Sequence, residues 1–276
     1  MTRQWLSRRA RNHFSHVANT YRSARTTDLE PILFVGDQLD PMRDIVAADV
    51  GCGAGRYAEL LFLFLGKGLF LHCTDANAEM LGELETCLTD VGIENFDTHE
   101  ALADDLPFAS GSLDCIFTSN ACHYFDLPDF LASAHRTLKP GGRVFIYTRT
   151  RTQNARSVWG VHFPSFSEKE TRLYTDDEVI SYLSQASGME LTHLKRFRYD
   201  REESLDRLIE LVRIPHYSTF RLYGEDEFET ALERFTSNVE ASCEDPKRVT
   251  WRDENTMYVI MRTDLGEILG VGDHSV

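Results

Sequence analysis

The sequence predicts an α/β fold built on a mostly parallel sheet, and three observations carry that prediction. A short apolar run, Ile45-Val46-Ala47-Ala48, leads into Asp49-Val50-Gly51-Cys52-Gly53-Ala54-Gly55 and then into an apolar stretch from Tyr57 to Leu65. That order is strand, glycine-rich turn, helix, the geometry that brings a backbone close to a nucleotide. Next, Leu69-Phe70-Leu71-His72-Cys73-Thr74-Asp75 reads as a buried parallel strand ending in an acid. Finally, Leu138-Lys139-Pro140-Gly141-Gly142 stops a helix and delivers the chain into the apolar run Arg143-Val144-Phe145-Ile146-Tyr147-Thr148.

The bulk numbers agree with a soluble globule. The 276 residues are 42% hydrophobic and 26% charged, and a chain of this size buries roughly 75% of its unfolded surface without a disulfide or metal staple. The net charge of −15 argues against nucleic acid as a partner, because a phosphate backbone prefers a basic surface. Cys52, Cys73, Cys87, Cys115, Cys122 and Cys243 form no Cys-x-x-Cys pair and read as reduced thiols of a cytoplasmic protein. No apolar run approaches the ~18 residues of a membrane span. The first 27 residues carry Arg3, Arg8, Arg9, Arg11, Arg22 and Arg25 and no acid. A transit peptide is one reading, and a basic surface helix of the folded domain is the preferred one.

Taken in order, residues 4 to 22 place Trp5, Leu6, His13, Phe14, Val17, Ala18 and Tyr21 at the steps of three and four of an amphipathic helix. Residues 30 to 39 read as a second helix that begins near Pro31. After the strand ending in Asp75, a helix runs from about Asn77 to Val91 and stops at Gly92. Residues 96 to 100 make a short third strand, followed by Ala103-Asp104-Asp105-Leu106-Pro107-Phe108. Gly111 to Asn120 is a turn and a strand, and a helix follows over 128–138.

The glycine spacing discriminates between cofactors. A dinucleotide fingerprint is G-x-G-x-x-G, whereas here the third glycine comes one residue early, with an acid two positions before the first. The pattern Asp49-x-Gly51-x-Gly53-x-Gly55 resembles the first motif of the class I S-adenosylmethionine-dependent methyltransferases. The turn Ala103 to Phe108 is similar to that family's acid-x-Leu-Pro-Phe turn. Lys139-Pro140-Gly141-Gly142 before a strand is another shared feature. The resemblance covers residues 45 to 150 at five places in the right order.

The resemblance implies a doubly wound, mostly parallel seven-stranded sheet with helices on both faces and an antiparallel edge strand, plus a helical lid insertion. It implies one domain over 1–276: N-terminal helices over the cofactor site (1–40), a cofactor-binding core (41–150), the remainder of the sheet with the acceptor wall (151–199 and 251–265), and the lid (200–250). The cofactor is S-adenosyl-L-methionine. Asp49 supports the turn and the cofactor's amino end, while Gly51, Gly53 and Gly55 admit the cofactor. Asp75 takes the ribose hydroxyls as a charge-assisted acceptor, or else caps the next helix, which Asn77 does equally well. Ala103 and Asp104 bracket the adenine, and Asn120 offers an amide near the methionine moiety. Cys52, Ala76, Met80 and Tyr124 complete the set, with Tyr21 and Arg25 reaching in from the N-terminal helix. The family often has a further acid at the position of Leu102.

For function, the resemblance implies methyl transfer by in-line displacement to a small-molecule nitrogen, oxygen or sulfur nucleophile. A hydroxyl acceptor needs a base, and His123 and His216 are the candidates. The chain lacks Asn/Asp-Pro-Pro-Tyr/Phe and any Pro-Cys dipeptide, which argues against base-amine and cytosine C5 methylation. Alternatives left open are an RNA or protein methyltransferase and a non-catalytic S-adenosylmethionine-binding protein. Residues 151–175 combine arginines with Trp159, His162, Phe163, Phe166 and Tyr174, either as a wall for an anionic acceptor or as a loop with surface ion pairs. Helices are expected at 176–187, 202–212 and 225–240, and strands at 189–199 and 256–261. A monomer or homodimer is expected.

Overall fold

The computed structural model describes residues 27–39, 44–214 and 218–263. Tyr21, Arg25 and His216, together with the expected N-terminal helix, lie outside the described residues. Helix α1 (Glu30–Leu39) precedes β1 (Ile45–Val50), α2 (Ala58–Leu65), β2 (Leu69–Asp75), α3 (Ala78–Asp90), β3 (Phe96–Glu100) and β4 (Leu113–Ser119). Then come α4 (Leu127–Thr137), β5 (Leu138–Thr148), and three short helices, α5 (Arg151–Ala155), α6 (Val158–His162) and α7 (Phe166–Lys169). The chain continues through α8 (Asp176–Gln185), β6 (Met189–Glu203), α9 (Leu205–Arg213), α10 (Glu225–Ser242) and β7 (Val249–Arg262).

The strands form a seven-stranded sheet in the order β3-β2-β1-β4-β5-β7-β6. β1 to β5 pair in parallel, and β7 runs against both β5 and β6. The reversed strand therefore lies one place in from the edge, which β6 occupies. Order reverses between β1 and β4, and the ends of these strands open the crevice in which ligands of such sheets sit.

Alternation along the strands creates two cores. On β1, Ile45 and Ala47 face one way, toward Ile32 and Val35 of α1, Leu61 of α2 and Leu84 and Leu88 of α3. Ala48 and Val50 face the other way, toward Phe130, Leu131 and Ala134 of α4 and Val179 and Leu183 of α8. Each fully buried large aliphatic side chain contributes about 1.5–3 kcal/mol, so both faces of the sheet need their helices.

A third core lies beyond the two faces of the sheet and, among the described residues, meets it only at the start of β7, at Val249 and Trp251. Trp159, Phe163 and Phe166 pack with Leu208 of α9, Phe220, and Leu232 and Phe235 of α10. Ring centroids of Trp159 and Phe235 lie 5.4 Å apart, and those of Phe163 and Phe220 5.1 Å apart. The aromatic run from 159 to 166 thus docks α6 and α7 onto the two helices of the insertion. Its neighbouring arginines are paired: Arg149 with Asp253 at 2.9 Å, Arg151 with Glu178 at 3.6 Å, Arg156 with Glu254, and Arg172 with Glu170.

β6 and β7 extend well past the sheet. The expected strands over 189–199 and 256–261 continue to Glu203 and start at Val249. In the extension, Asp200 faces Arg252 and Arg198 faces Glu254 across the ladder, joined by bonds of 2.8 Å and 3.0 Å. Such opposite-charge pairs support a ladder that has little apolar surface.

Candidate active site

The glycine turn and the end of β2 are tied into one unit. The N–H groups of Gly51 and Cys52 both donate to the Thr74 carbonyl, at 2.8 and 3.1 Å. Gly53 N–H donates to Asp75 Oδ2 at 2.9 Å. Asp75 Oδ1 accepts from Asn77 N–H at 3.0 Å, and Asn77 caps α3 by accepting from Met80 N–H at 2.9 Å. Three N–H groups of the turn are thereby spent inside the protein. A phosphate-binding turn would leave them free for an anion, so the turn suits a ligand without a pyrophosphate.

Each glycine of the turn has its own reason. All three have positive φ: 70° at Gly51, 55° at Gly53 and 76° at Gly55. A Cβ on Gly51 would lie 2.5 Å from Ala121 Cβ, and one on Gly55 would lie 2.9 Å from Leu84 Cγ. Those two let the turn pack against the β4 loop and α3. A Cβ on Gly53 would meet nothing within 4 Å, and Gly53 borders a cavity of about 320 Å³. Gly53 is the position where a side chain would take up ligand space.

That cavity gathers most of the expected residues. Asp49, Gly51, Cys52 and Gly53 border it from the first turn, and Asp75, Ala76 and Met80 from the second. Ala103 and Asp104 come from the segment after β3, and Asn120 and Tyr124 from the segment after β4. Gly55 and His123 are not among its lining residues. Gly55 serves helix packing instead. His123 stacks on Tyr124 with ring centroids 4.1 Å apart and lies near the carboxylate of Glu170.

Several lining residues were not singled out from sequence. Arg56 and Tyr57 follow the glycine turn, Ser119 ends β4, and Asp126 and Asp129 begin α4. Position alone flags the acids, since they follow the C-terminal end of a strand at the crevice. Leu102, where an acid is frequent in the resembling family, lines the cavity with an apolar side chain.

The backbone around Asn120 is held in the left-handed region, with φ of 50°. Asn120 N–H donates to the Tyr147 carbonyl at 2.7 Å, and its Oδ1 accepts from Asn255 Nδ2 at 3.2 Å. Asn255 in turn accepts from Arg149 Nε at 3.4 Å. The chain of amides and guanidinium orients Asn120 at the cavity rim.

Electrostatically the cavity asks for positive charge. Burial, with a smaller contribution from the charge of Asp75, pushes the Asp49 carboxyl up to about 8. Burial pushes Asp75 up to about 6 against the pull of the N–H groups of Gly53, Asn77 and Ala76. A cationic ligand returns both groups to the ionised form. Burial also holds the Cys52 thiol well above its usual range, so it stays protonated and apolar. On the far side of Tyr124, its Oη and Ser218 Oγ lie 2.6 Å apart. Arg172 donates to Ser218 Oγ at 3.0 Å and forks onto Glu170, which also accepts from Thr219. Burial would raise the Glu170 carboxyl, yet the Arg172 guanidinium holds it below the usual range.

Comparison with known proteins identifies the domain. Residues 48–146, which span the glycine turn, Asp49, Asp75 and most of β5, match the family model described as a methyltransferase domain. Over those residues the chain carries a methyltransferase domain of the class I, S-adenosylmethionine-dependent type. It is similar to a Dictyostelium discoideum protein described as a methyltransferase, at 24% identity over 206 residues, covering 71% of this chain and 73% of that one. It is also similar to the ubiquinone biosynthesis O-methyltransferase of Rhizobium etli, at 24% identity, covering 70% of this chain and 79% of the relative. In structure it resembles the geranyl diphosphate C-methyltransferase of Streptomyces coelicolor, with a TM-score of 0.53, 15% identity, and coverage of 84% of this chain and 78% of that one. At that identity the likeness concerns the fold. Like other methyltransferases of this class, the chain is an enzyme that uses S-adenosylmethionine. Among the described residues no helix is long and apolar enough to cross a membrane.

Proposed function

We propose that the cavity holds S-adenosylmethionine and that the enzyme methylates a small molecule. The observation that carries this reading is convergence: Gly53, Asp75, Asp104 and Asn120, from four separate strand ends, border one cavity. In this reading Asp75 accepts from the ribose hydroxyls with the lone pairs that Gly53 and Asn77 leave free. Ala103 and Asp104 orient the adenine, Leu102 and Met80 give its ring apolar contact, and Asn120 meets the methionine end. Asp49, buried below the turn, supplies negative charge where the cofactor is cationic.

Bound there, S-adenosylmethionine supplies a methyl group already activated by the positive sulfonium. The residues of the chain then have two tasks. They fix the acceptor in line, which converts a bimolecular step into a near-unimolecular one, and they keep water away from the reacting centre. Tyr124, Asp126 and Asp129 border the cavity beside Asn120 and form the acceptor side. A hydroxyl or acidic C–H acceptor needs a base there; Asp126 and Asp129 border the cavity, and His123 does not. The insertion reaches this side through Ser218, whose hydroxyl lies 2.6 Å from Tyr124 Oη, and in this reading it serves as the lid, its helices α9 and α10 held by the third core.

The small-molecule assignment rests on a recessed site of about 320 Å³, on the net charge of −15, and on the relative named for ubiquinone biosynthesis. A cytoplasmic location is part of the same proposal and rests on six unbridged cysteines. The test is a screen of quinol, isoprenoid and carboxylic acid acceptors with S-adenosylmethionine carrying a labelled methyl group. Label transferred to a small molecule supports the reading. Label transferred only to RNA or protein rejects it.

A further inference from the structure

On the outer edge of the sheet, away from the cavity, β2 and β3 bring two histidines and an aspartate together. His72 faces Asp97 across the parallel ladder, and His99 lies two residues beyond Asp97 on the same face. His72 Nδ1 lies 2.6 Å from Asp97 Oδ1, and His99 Nε2 lies 3.0 Å from the same oxygen. One ligand atom from each of the three residues falls within 4.8 Å of the others.

Hydrogen bonding alone leaves this cluster incomplete. His99 Nε2 is buried and makes no hydrogen bond, since its approach to Asp97 lacks the direction that a hydrogen bond needs. A nitrogen lone pair turned inward beside a carboxylate oxygen is what a shared cation would use. The three side chains are 19%, 41% and 31% exposed for His72, Asp97 and His99, so an ion can enter and keep water on its open positions. Aromatic rings frame the cluster: Phe108 lies 4.7 Å from His72 and 5.3 Å from His99, and Phe70 lies 5.1 Å from His72. An apolar frame of this kind limits solvent and strengthens the ligand bonds.

We propose that His72, Asp97 and His99 bind a divalent first-row transition ion of the zinc type. Two imidazoles and one carboxylate suit zinc or cobalt, with water completing the shell. Magnesium and calcium need a shell built mainly of oxygen, which the cluster does not offer. The position gives the ion a structural consequence. Among the described residues β3 is an edge strand paired only with β2. The C-terminal end of β2 carries Asp75, and that of β3 leads into Ala103 and Asp104. A metal clip between the two strands stiffens the edge from which these residues reach the cavity. This inference is independent of which acceptor is methylated.

The test uses the full chain, freed of metal by chelator and then titrated with Co²⁺ as a spectroscopic probe and Zn²⁺ as competitor. The wild type should develop cobalt absorption in the visible at one equivalent, lost on adding Zn²⁺. His72→Gln/His99→Gln, and separately Asp97→Asn, should weaken binding by about tenfold or more. Their affinity for S-adenosylhomocysteine in metal-free buffer should match that of the wild type, which shows them folded. Absence of saturable binding by the wild type, or equal binding by the folded variants, overturns the proposal.

Discussion

Asp75 Oδ2 accepts from Gly53 N–H at 2.9 Å, so the acid that ends β2 holds the glycine turn of β1 in place. Its Oδ1 takes Asn77 N–H, and the capping of α3 falls to Asn77 itself. One carboxylate therefore shapes the turn and still borders the cavity. Asp75→Ala should weaken binding of S-adenosylhomocysteine by about 1.5–3 kcal/mol, the range for a hydrogen bond to a charged group. Unchanged affinity in calorimetry would remove Asp75 from the site.

The glycines separate packing from binding. Gly51→Ala places a methyl 2.5 Å from Ala121 Cβ at a positive φ, so it should lower stability by more than the roughly 1–2 kcal/mol of the backbone strain alone. Gly53→Ala meets open space at its own positive φ. It should show the strain but little clash, and should lose cofactor affinity out of proportion to stability. Thermal unfolding and calorimetry on the two variants check this, and the opposite ranking would contradict it.

The two buried acids predict a pH dependence. Asp75 and Asp49 are raised from 3.8 to about 6 and about 8. In that window the folded, ligand-free protein binds more protons than the unfolded chain, so their contribution to stability falls as pH rises from about 4 toward 8. A ligand with a cationic amino end and hydroxyl donors favours the ionised carboxylates and releases those protons on binding. Its affinity should therefore increase with pH through about 6 and on toward 8. The thermal shift produced by saturating S-adenosylhomocysteine should grow between pH 5.5 and pH 8 (roughly the span of the two values). A flat or falling shift would contradict the assignment.

Strand and turn were legible wherever a short segment carried its own reason. Ile45–Val50, Leu69–Asp75 and Phe96–Glu100 fall where apolar runs and turn residues put them. The acid that ends β2 is marked by its offset from the glycines, and the loop after β3 by its resemblance to a family turn. Two things were not legible. The extension of β6 to Glu203 is charged along its length, and its support is tertiary: Arg252 and Glu254 stand opposite Asp200 and Arg198, and Arg248, just before β7, bonds Glu202. The run from Arg151 to Lys169 holds three helices of four or five residues, too short for periodicity to reveal. Residues 151–175 read either as a pocket wall or as a loop with surface ion pairs; the arginines are paired, and Trp159 and Phe166 are buried against the insertion. At the site, Asp126 and Asp129 are flagged only by following the end of β4, and Arg56 borders the cavity through tertiary placement that no local pattern announces.

The third core predicts a separation of functions. Phe235 is fully buried and packs on Trp159 and Phe163, with centroids 5.4 and 5.6 Å away. Phe235→Ala should cost about 3–5 kcal/mol within this core. Because that core stands apart from the cavity lining, binding of S-adenosylhomocysteine at low temperature should persist while turnover of the acceptor falls. Equal loss of both would show that the insertion supports the cofactor site directly.

The most direct test of the cavity assignment is calorimetric titration of the purified protein with S-adenosylmethionine, S-adenosylhomocysteine and NAD. The turn spends its N–H groups on Thr74 and Asp75 and leaves none of those three for a pyrophosphate. Saturable binding of the first two ligands, with none of the third, is the predicted result. Binding of NAD in their place, or of no ligand by a protein shown to be folded, would contradict the account.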